Sequence, residues 1–381
     1  MTWALAVTQT VGYGVLYYTF GVAVVPMEST FGWTRDATSG AFSLMLLMAG
    51  VSAWTVGRLL DRGHARVVMT TASLTGALLL VAWANVTALW QLYAVMVGLG
   101  VVLAASAYEA AFTVLARWMG RYRMRSFLVV TAMAGLASTI FVPATNALIE
   151  RFSWQTALLI LALLMAGLAA PLHAAFVRRP PDTEEDMPEA SLPLREARRM
   201  PAFRYMTVAF AIDTTLIVTL AAHAVPLFIN RGFTPADAAL AAGSLGLLQV
   251  FGRLVFAPAS ERLPLSLLAT VTYGLRIVAI AALLLHTGPW GVAVFVVTFG
   301  LSNGASTLAR AGLVAERFGT ASFGAINGSM TTIVALARPL GPWLLGVAFA
   351  ASGGYASGLW GLLLVAVFAT WAVHQSGRTL R

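Results

Sequence analysis

The amino-acid sequence predicts an all-helical integral membrane protein of twelve spans, made by duplication, and three observations lead there. Of its 381 residues 59% are hydrophobic and 10% charged, with apolar stretches recurring along nearly the whole length. A helix needs roughly 20 apolar residues to cross the hydrocarbon core, so such a chain holds about a dozen spans and has no room for a sizeable soluble domain. Second, the chain repeats itself at an offset of 200: the turn Phe31, Gly32, Trp33, Thr34 returns as Arg231, Gly232, Phe233, Thr234. The same offset maps Pro26 onto Pro226, Asp61 onto Glu261, Arg62 onto Arg262 and Arg117 onto Arg317. A long repeat carried on apolar helices is how transporters place a substrate site between two halves. Third, the basic residues, all of them arginine, fall mainly on alternate connections.

Taken in order, the spans are expected near 3–25, 37–57, 67–86, 91–116, 126–149 and 154–177, then 205–229, 236–258, 265–286, 288–313, 323–349 and 355–375. The first is too long and too weakly basic at its start for a cleaved signal peptide, and reads as a permanent helix. With the N-terminus in the cytoplasm, inner connections and tail carry 17 arginines: Arg58, Arg62, Arg66, Arg117, Arg121, Arg123, Arg125, Arg178, Arg179, Arg195, Arg198, Arg199, Arg204, Arg262, Arg317, Arg378 and Arg381. The outer connections carry only Arg35, Arg151 and Arg231. This positive-inside asymmetry directs both termini inward. The halves, 1–177 and 205–381, flank a segment 178–204 rich in Pro and mixed charge, a cytoplasmic linker with at most one amphipathic turn at Leu194–Arg199.

Several function classes drop out. The net charge of +9 reports topology rather than a nucleic-acid partner. Without cysteine, disulfides and thiolate metal sites are impossible, and the five histidines lack ligand spacing, so no metal is expected. Gly98 and Gly100, like Gly243 and Gly246, have no strand before them and no phosphate loop after, so they read as helix contacts and no ATP site is visible. No nucleophile, acid–base pair or metal cluster converges as an enzyme requires, and a sensor would carry an output domain. No cofactor is expected.

Gly57–Arg66, GRLLDRGHAR, lies at the inner end of the second span. It resembles the loop signature of the major facilitator superfamily, degraded in the second half to Ala257, Pro258, Ala259, Ser260, Glu261, Arg262. Small Gly57 permits close helix contact, while Asp61, Arg62 and Arg66 either lock the inner helix ends as a gate or serve topology alone; the gate is favoured. FGWTRDATSGAFSL from Phe31, YEAAFTVLARW from Tyr108 and FVPATNALIERFSWQTAL from Phe141 resemble the bacterial branch related to monocarboxylate porters and oxalate/formate antiporters. The resemblance covers essentially the whole chain. It implies two six-helix bundles, related by an axis along the membrane normal, that rock about a central cavity in a bacterial inner membrane.

Six residues of charged type fall inside the spans, clear of their first turn: Glu109, Asp213, Arg253, Arg276, Arg310 and Arg338. Each costs roughly 2.5–3.5 kcal/mol or more if isolated in lipid, so each is expected to face a cavity or a partner. Four arginines against two acids leave a positive excess that attracts anions. Arg253 lies one turn, about 6 Å, deeper than the helix end at Ala257. Monocarboxylate porters resemble this segment in carrying an Asp and, four residues later, an Arg; here the pair is Gln249 and Arg253. Arg338, beside Pro339 and Gly341, resembles a basic position of oxalate/formate antiporters, which is lysine there. A guanidinium binds a carboxylate bidentately, so both are candidate substrate contacts; for Arg338 the alternative is capping of carbonyls freed at the proline. Tyr13, Tyr17 and Asn303 are candidates for orienting hydrogen bonds or for packing. Glu109 or Asp213 is expected to couple transport to protons, or else to form a static bridge with Arg310. His223, near Pro226, has a packing role or a proton role, and Arg276 is expected to be a structural partner or a snorkelling residue rather than a ligand. The sequence therefore points to a secondary transporter of a small mono- or dicarboxylate, by proton symport or anion exchange, with efflux of an amphiphilic or toxic compound as the alternative.

Overall fold

The computed structural model describes residues 1–178 and 192–378; most of the predicted linker, 179–191, and residues 379–381 lie outside the described residues. Among the described residues all regular structure is helical. The helices are α1 (Thr2–Phe31), α2 (Arg35–Leu59), α3 (Ala65–Ala84), α4 (Leu89–Ser106), α5 (Tyr108–Trp118), α6 (Arg123–Gly135), α7 (Ala137–Arg151) and α8 (Trp154–Phe176). After the short α9 (Leu194–Ala197) come α10 (Pro201–Asn230), α11 (Pro235–Ala259), α12 (Leu265–Leu285), α13 (Pro289–Phe318), α14 (Phe323–Ala337), α15 (Leu340–Ser352) and α16 (Ala356–Arg378).

Among the described residues eleven stretches are long and apolar enough to cross a membrane. Ten are 20 to 30 residues long, but Ala37–Ala84 runs to 48, more than twice what one crossing needs. The expected connection between the second and third spans is wound rather than open: Leu60–His64 forms a π-helical turn that breaks at Gly63, φ 84°. Three further spans each cross as one stretch but carry a local break. The fourth breaks at Ala107 (φ −88°, ψ −177°), where Gln9 Nε2 donates to the Ser106 carbonyl at 2.7 Å and so occupies the acceptor that helix continuation would use. The fifth is divided at Leu136, and the eleventh between Ala337 and Leu340, where Pro339 cannot donate to the ladder.

The duplication is visible in the backbone. Gly32 (φ 69°) ends α1 and Gly232 (φ 88°) follows α10, left-handed conformations that carry little cost only for glycine. Thr34 and Thr234 then start α2 and α11 as extended N-caps, and Thr234 Oγ1 accepts the Asp237 N–H at 3.2 Å. A Cβ on Gly100 would collide with the Met45 carbonyl, and one on Gly300 would meet Leu248, so corresponding helix pairs cross at corresponding points. One crossing has exchanged its parts. Gly14 accommodates the ring of Phe141 in the first half, whereas in the second Gly341, the counterpart of Phe141, sits against Thr215 and Thr219.

Two compact units emerge: Met1–Leu192 with Phe318–Thr332, and Pro193–Arg317 with Ile333–Arg381. In the first, Trp83 is fully buried, stacks near Phe20 and donates to the Met27 sulfur at 3.5 Å. In the second, Phe228, Phe295 and Phe299 form a buried column with Leu216, Leu220 and Leu227. Large apolar side chains remain outside these cores, among them Leu78, Leu163, Leu240 and Trp290, as expected where the solvent is lipid.

Candidate functional site

In the second unit, three helices meet at a buried charge. Asp213 on α10 is 2% exposed and Arg276 on α12 is 1% exposed. Arg276 Nη1 donates to one Asp213 carboxylate oxygen and, at 3.2 Å, to the Asp213 carbonyl; Nη2 reaches Ser302 Oγ at 3.4 Å. Ser306 Oγ, on α13, donates to the other carboxylate oxygen. The guanidinium also lies over the Phe299 ring, 5.7 Å from its centroid. The expected Asp213–Arg310 bridge is therefore corrected: Asp213 is held by Arg276, and the Arg310 guanidinium lies over Phe210 at 5.5 Å. Sequence reasoning missed Ser306 and the buried Tyr273 beside this pair. Their only signal is helical phase, since Tyr273 and Arg276 are three apart on α12 and share a face.

Gln249 and Arg253 are four apart on α11 and so lie on one face. That helix crosses α13 at backbone contact: a Cβ on Gly252 would collide with the Leu301 carbonyl, and one on Gly304 with the Gln249 carbonyl. The crossing fixes Gln249 and Arg253 beside the segment that carries Asn303. Arg253 is 8% exposed. The side-chain amides of Gln249 and Asn303, both half-buried, make no hydrogen bond among the described residues. Arg338 stands one residue beyond the end of α14; its Nε is buried without a partner, and its guanidinium bonds no carbonyl or carboxylate among the described residues. The capping alternative for Arg338 is thus not realised. His223 has both ring nitrogens occupied, Nδ1 with the Tyr355 hydroxyl at 3.3 Å and Nε2 with the Pro342 carbonyl at 3.2 Å, which is the packing role.

In the first unit, the π-helical turn Tyr13–Tyr18 presents Tyr13 and Tyr17 into an aromatic cluster. Tyr13 lies 4.5 Å from Tyr108 between ring centroids, and Tyr17 5.4 Å from Phe42. Glu109 follows Tyr108 in the first turn of α5, immediately after the Ala107 break. It is half-buried, and its carboxylate makes no hydrogen bond or ion pair among the described residues.

The Gly57–Arg66 motif builds a latch on the start of α14. Asp61 accepts the Gly324 N–H at 2.8 Å and the Ala325 N–H at 2.6 Å, capping a helix N-terminus whose free amides and dipole favour an anion. Gly57 makes this approach possible, because a Cβ there would collide with the Gly324 carbonyl. Arg117, which the sequence marked as a repeat position and as one of the inner arginines, donates Nη1 to the Asp61 carbonyl. Its counterpart Arg317 donates to the Gly377 carbonyl at 2.8 Å, so the repeat itself marked a pair of carbonyl-gripping arginines. Arg62 and Arg66 are exposed and take no part in the latch. Among the described residues no cluster of His, Asp or Glu suited to a metal ion is present.

Comparison with known proteins agrees with this architecture. The family model of the Major Facilitator Superfamily matches residues 6–342. An uncharacterised MFS-type transporter of Bacillus subtilis (strain 168), YcxA, is 22% identical over 373 residues, covering 94% of this chain and 88% of its own. The crystal structure of FucP in the outward conformation superposes with a TM-score of 0.79 at 10% identity, covering 99% of this chain and 98% of FucP. Another crystal structure of FucP, the E. coli fucose:proton symporter, gives 0.75 at 12% identity over 98% of each chain. The human organic anion transporter MFSD10 gives 0.73 at 13%, covering 98% of this chain and 99% of that one. At these identities the structures carry the fold alone, and the family rests on the match along most of the sequence. The chain therefore belongs to the major facilitator superfamily, a family of membrane transporters and not of enzymes.

Proposed function

We propose that the protein is a secondary active transporter of a small organic anion, a mono- or dicarboxylate, working by alternating access in a bacterial inner membrane. It belongs, on this reading, to the branch that includes monocarboxylate porters and oxalate/formate antiporters. Twelve spans are organised as bundles 1–177 and 205–381 joined by the linker 178–204, with both termini cytoplasmic. The break at Gly63 supports counting the 48-residue stretch as two spans, and the arginine asymmetry supports the orientation.

The observation that carries the anion is Arg338. Its guanidinium sits within a membrane stretch with no protein acceptor among the described residues. Such a charge is costly in lipid unless an anion joins it. A carboxylate accepts two parallel hydrogen bonds from a guanidinium, and Arg253, on the same unit, supplies a second positive group with the Gln249 and Asn303 amides beside it. MFSD10 is named for organic anions and FucP for proton symport, so the fold accommodates both. For coupling, Asp213 is committed to Arg276, whereas Glu109 has no such partner. Glu109 is accordingly the acid that takes up and releases the proton, and anion exchange is the alternative if it does not. The competing reading, efflux of an amphiphile, places the arginines in structural roles.

Reconstituted liposomes assayed with labelled mono- and dicarboxylates, with and without a pH gradient, test this. Saturable uptake is expected, with the apparent affinity lowered about tenfold or more in Arg253→Gln and Arg338→Gln, the loss of roughly one charge-assisted contact. Glu109→Gln is expected to abolish gradient-driven accumulation while leaving counterflow. No accumulation or exchange of any carboxylate would overturn the anion reading, and unchanged proton-driven uptake in Glu109→Gln would remove the coupling role.

A further inference from the structure

Where α3 begins and α8 ends, the first unit holds a hollow of about 710 Å³ lined by Gly63, His64, Arg66, Val67, Ala175 and Arg178. Among the described residues its walls contain two arginines, a histidine and no acid. The start of α3 adds more positive character: no side chain caps its first turn and no acidic residue lies in it. Arg66 there stands against the helix dipole, an arrangement that is unfavourable unless an anion is nearby. Asp61, the acid closest in sequence, has both carboxylate oxygens engaged by Gly324 and Ala325. Among the described residues the one side-chain hydrogen bond given by these arginines is long, Arg178 Nε to the Ala175 carbonyl at 3.4 Å.

The two helices that line the hollow are also joined to each other further along. Buried Ser73 on α3 and buried His173 on α8 share a hydrogen bond of 2.9 Å, Oγ to Nδ1, and Met165 packs against Gly76. On its bilayer side the hollow continues into an apolar strip. Val67 is 60% exposed, and Leu74, Leu78 and Val81 follow on the same face of α3 at helical spacing. Phe176 is exposed on α8 beside it.

We propose that this hollow binds the phosphate headgroup of an anionic phospholipid, whose acyl chains lie along the exposed face of α3. A basic pocket between helices at the inner leaflet suits such a headgroup. A zwitterionic lipid brings an ammonium for which the described lining offers no acid, and a soluble phosphate gains nothing from Val67 or Leu74. The site rests on the function proposed above only for the leaflet it faces. Binding is read without transport, so a chain that moves no carboxylate leaves it standing.

The test is retention of phosphatidylglycerol against phosphatidylcholine on the full-length protein purified in detergent, measured by native mass spectrometry and by thermal stabilisation. Selective retention of phosphatidylglycerol is expected, about 30-fold weaker in Arg66→Gln/Arg178→Gln and largely restored in Arg66→Lys/Arg178→Lys, since each surface cation contributes about one tenfold step or less. Equal retention of both lipids would overturn the proposal. So would undiminished phosphatidylglycerol binding in the glutamine pair with an unchanged melting temperature. Inorganic phosphate that displaces the lipid at comparable concentration would reassign the hollow to a free anion and likewise refute it.

Discussion

Replacing Asp213 by Asn removes the negative charge from a site where both partners are almost wholly shielded, Asp213 at 2% and Arg276 at 1% exposure. The amide retains the size and one acceptor for Ser306 or Arg276. What it cannot do is neutralise the guanidinium, whose remaining contacts are the Asp213 carbonyl, Ser302 Oγ and the Phe299 face. Breaking a buried pair by removing one partner costs about 3–5 kcal/mol, most of it the uncompensated charge left behind. Arg276→Gln is expected to cost a similar amount from the other side. Because that penalty belongs to the orphaned charge, the double variant Asp213→Asn/Arg276→Gln is expected to recover about a third of the summed loss, a coupling of roughly 2–3 kcal/mol. Denaturant unfolding in a fixed detergent, with the four proteins of the cycle side by side, measures it. Single variants within about 0.5 kcal/mol of wild type, the range of uninvolved substitutions, would refute the reasoning, and so would strictly additive losses.

Gly57→Ala is expected to destabilise by about 1–3 kcal/mol, because the new Cβ meets the Gly324 carbonyl, which is backbone and yields little; thermal unfolding reads it, and Gly324→Ala is expected to match. Asp61→Asn leaves one neutral acceptor for two amides and should cost about 1–2 kcal/mol, seen locally as faster hydrogen exchange at Gly324 and Ala325, while unchanged exchange would dismiss the cap. Gly14→Ala collides with the Phe141 ring and should lower the unfolding temperature, whereas Gly14→Ala/Phe141→Leu should regain much of it; no rescue would mean that the ring is not the obstacle.

How much of this was legible beforehand depends on whether the cause is local. Helix ends at Gly32 and Gly232 were visible because a turn needs particular residues at particular positions, and the same motif appears twice. The contact of the Gly57–Arg66 motif was legible in its acid and its glycine, but not in what Asp61 holds, since Gly324 is 263 residues away. Arg276 stood out as a charge in an apolar helix, yet its pairing with Asp213 depends on packing between helices that no spacing along the chain encodes. The break at Ala107 had no warning in the form of Gly or Pro: it comes from Gln9, a side chain on another helix that takes a carbonyl from the ladder. The division at Pro339 was anticipated because proline acts through its own backbone.

The exchange of bulk between Gly14 with Phe141 and Gly341 with its threonines has an evolutionary meaning. In a chain read as a duplication, packing at such a crossing constrains the combined volume of two facing side chains rather than either residue alone. The halves are consequently homologous but no longer interchangeable. A chimera that transplants the helix of Gly341 into the place of Phe141 would set glycine against glycine and leave a void, while the reciprocal graft would force an aromatic ring onto Thr215 and Thr219. Only grafts that move both facing helices together keep the fit, so the smallest heritable part of this scaffold is a pair.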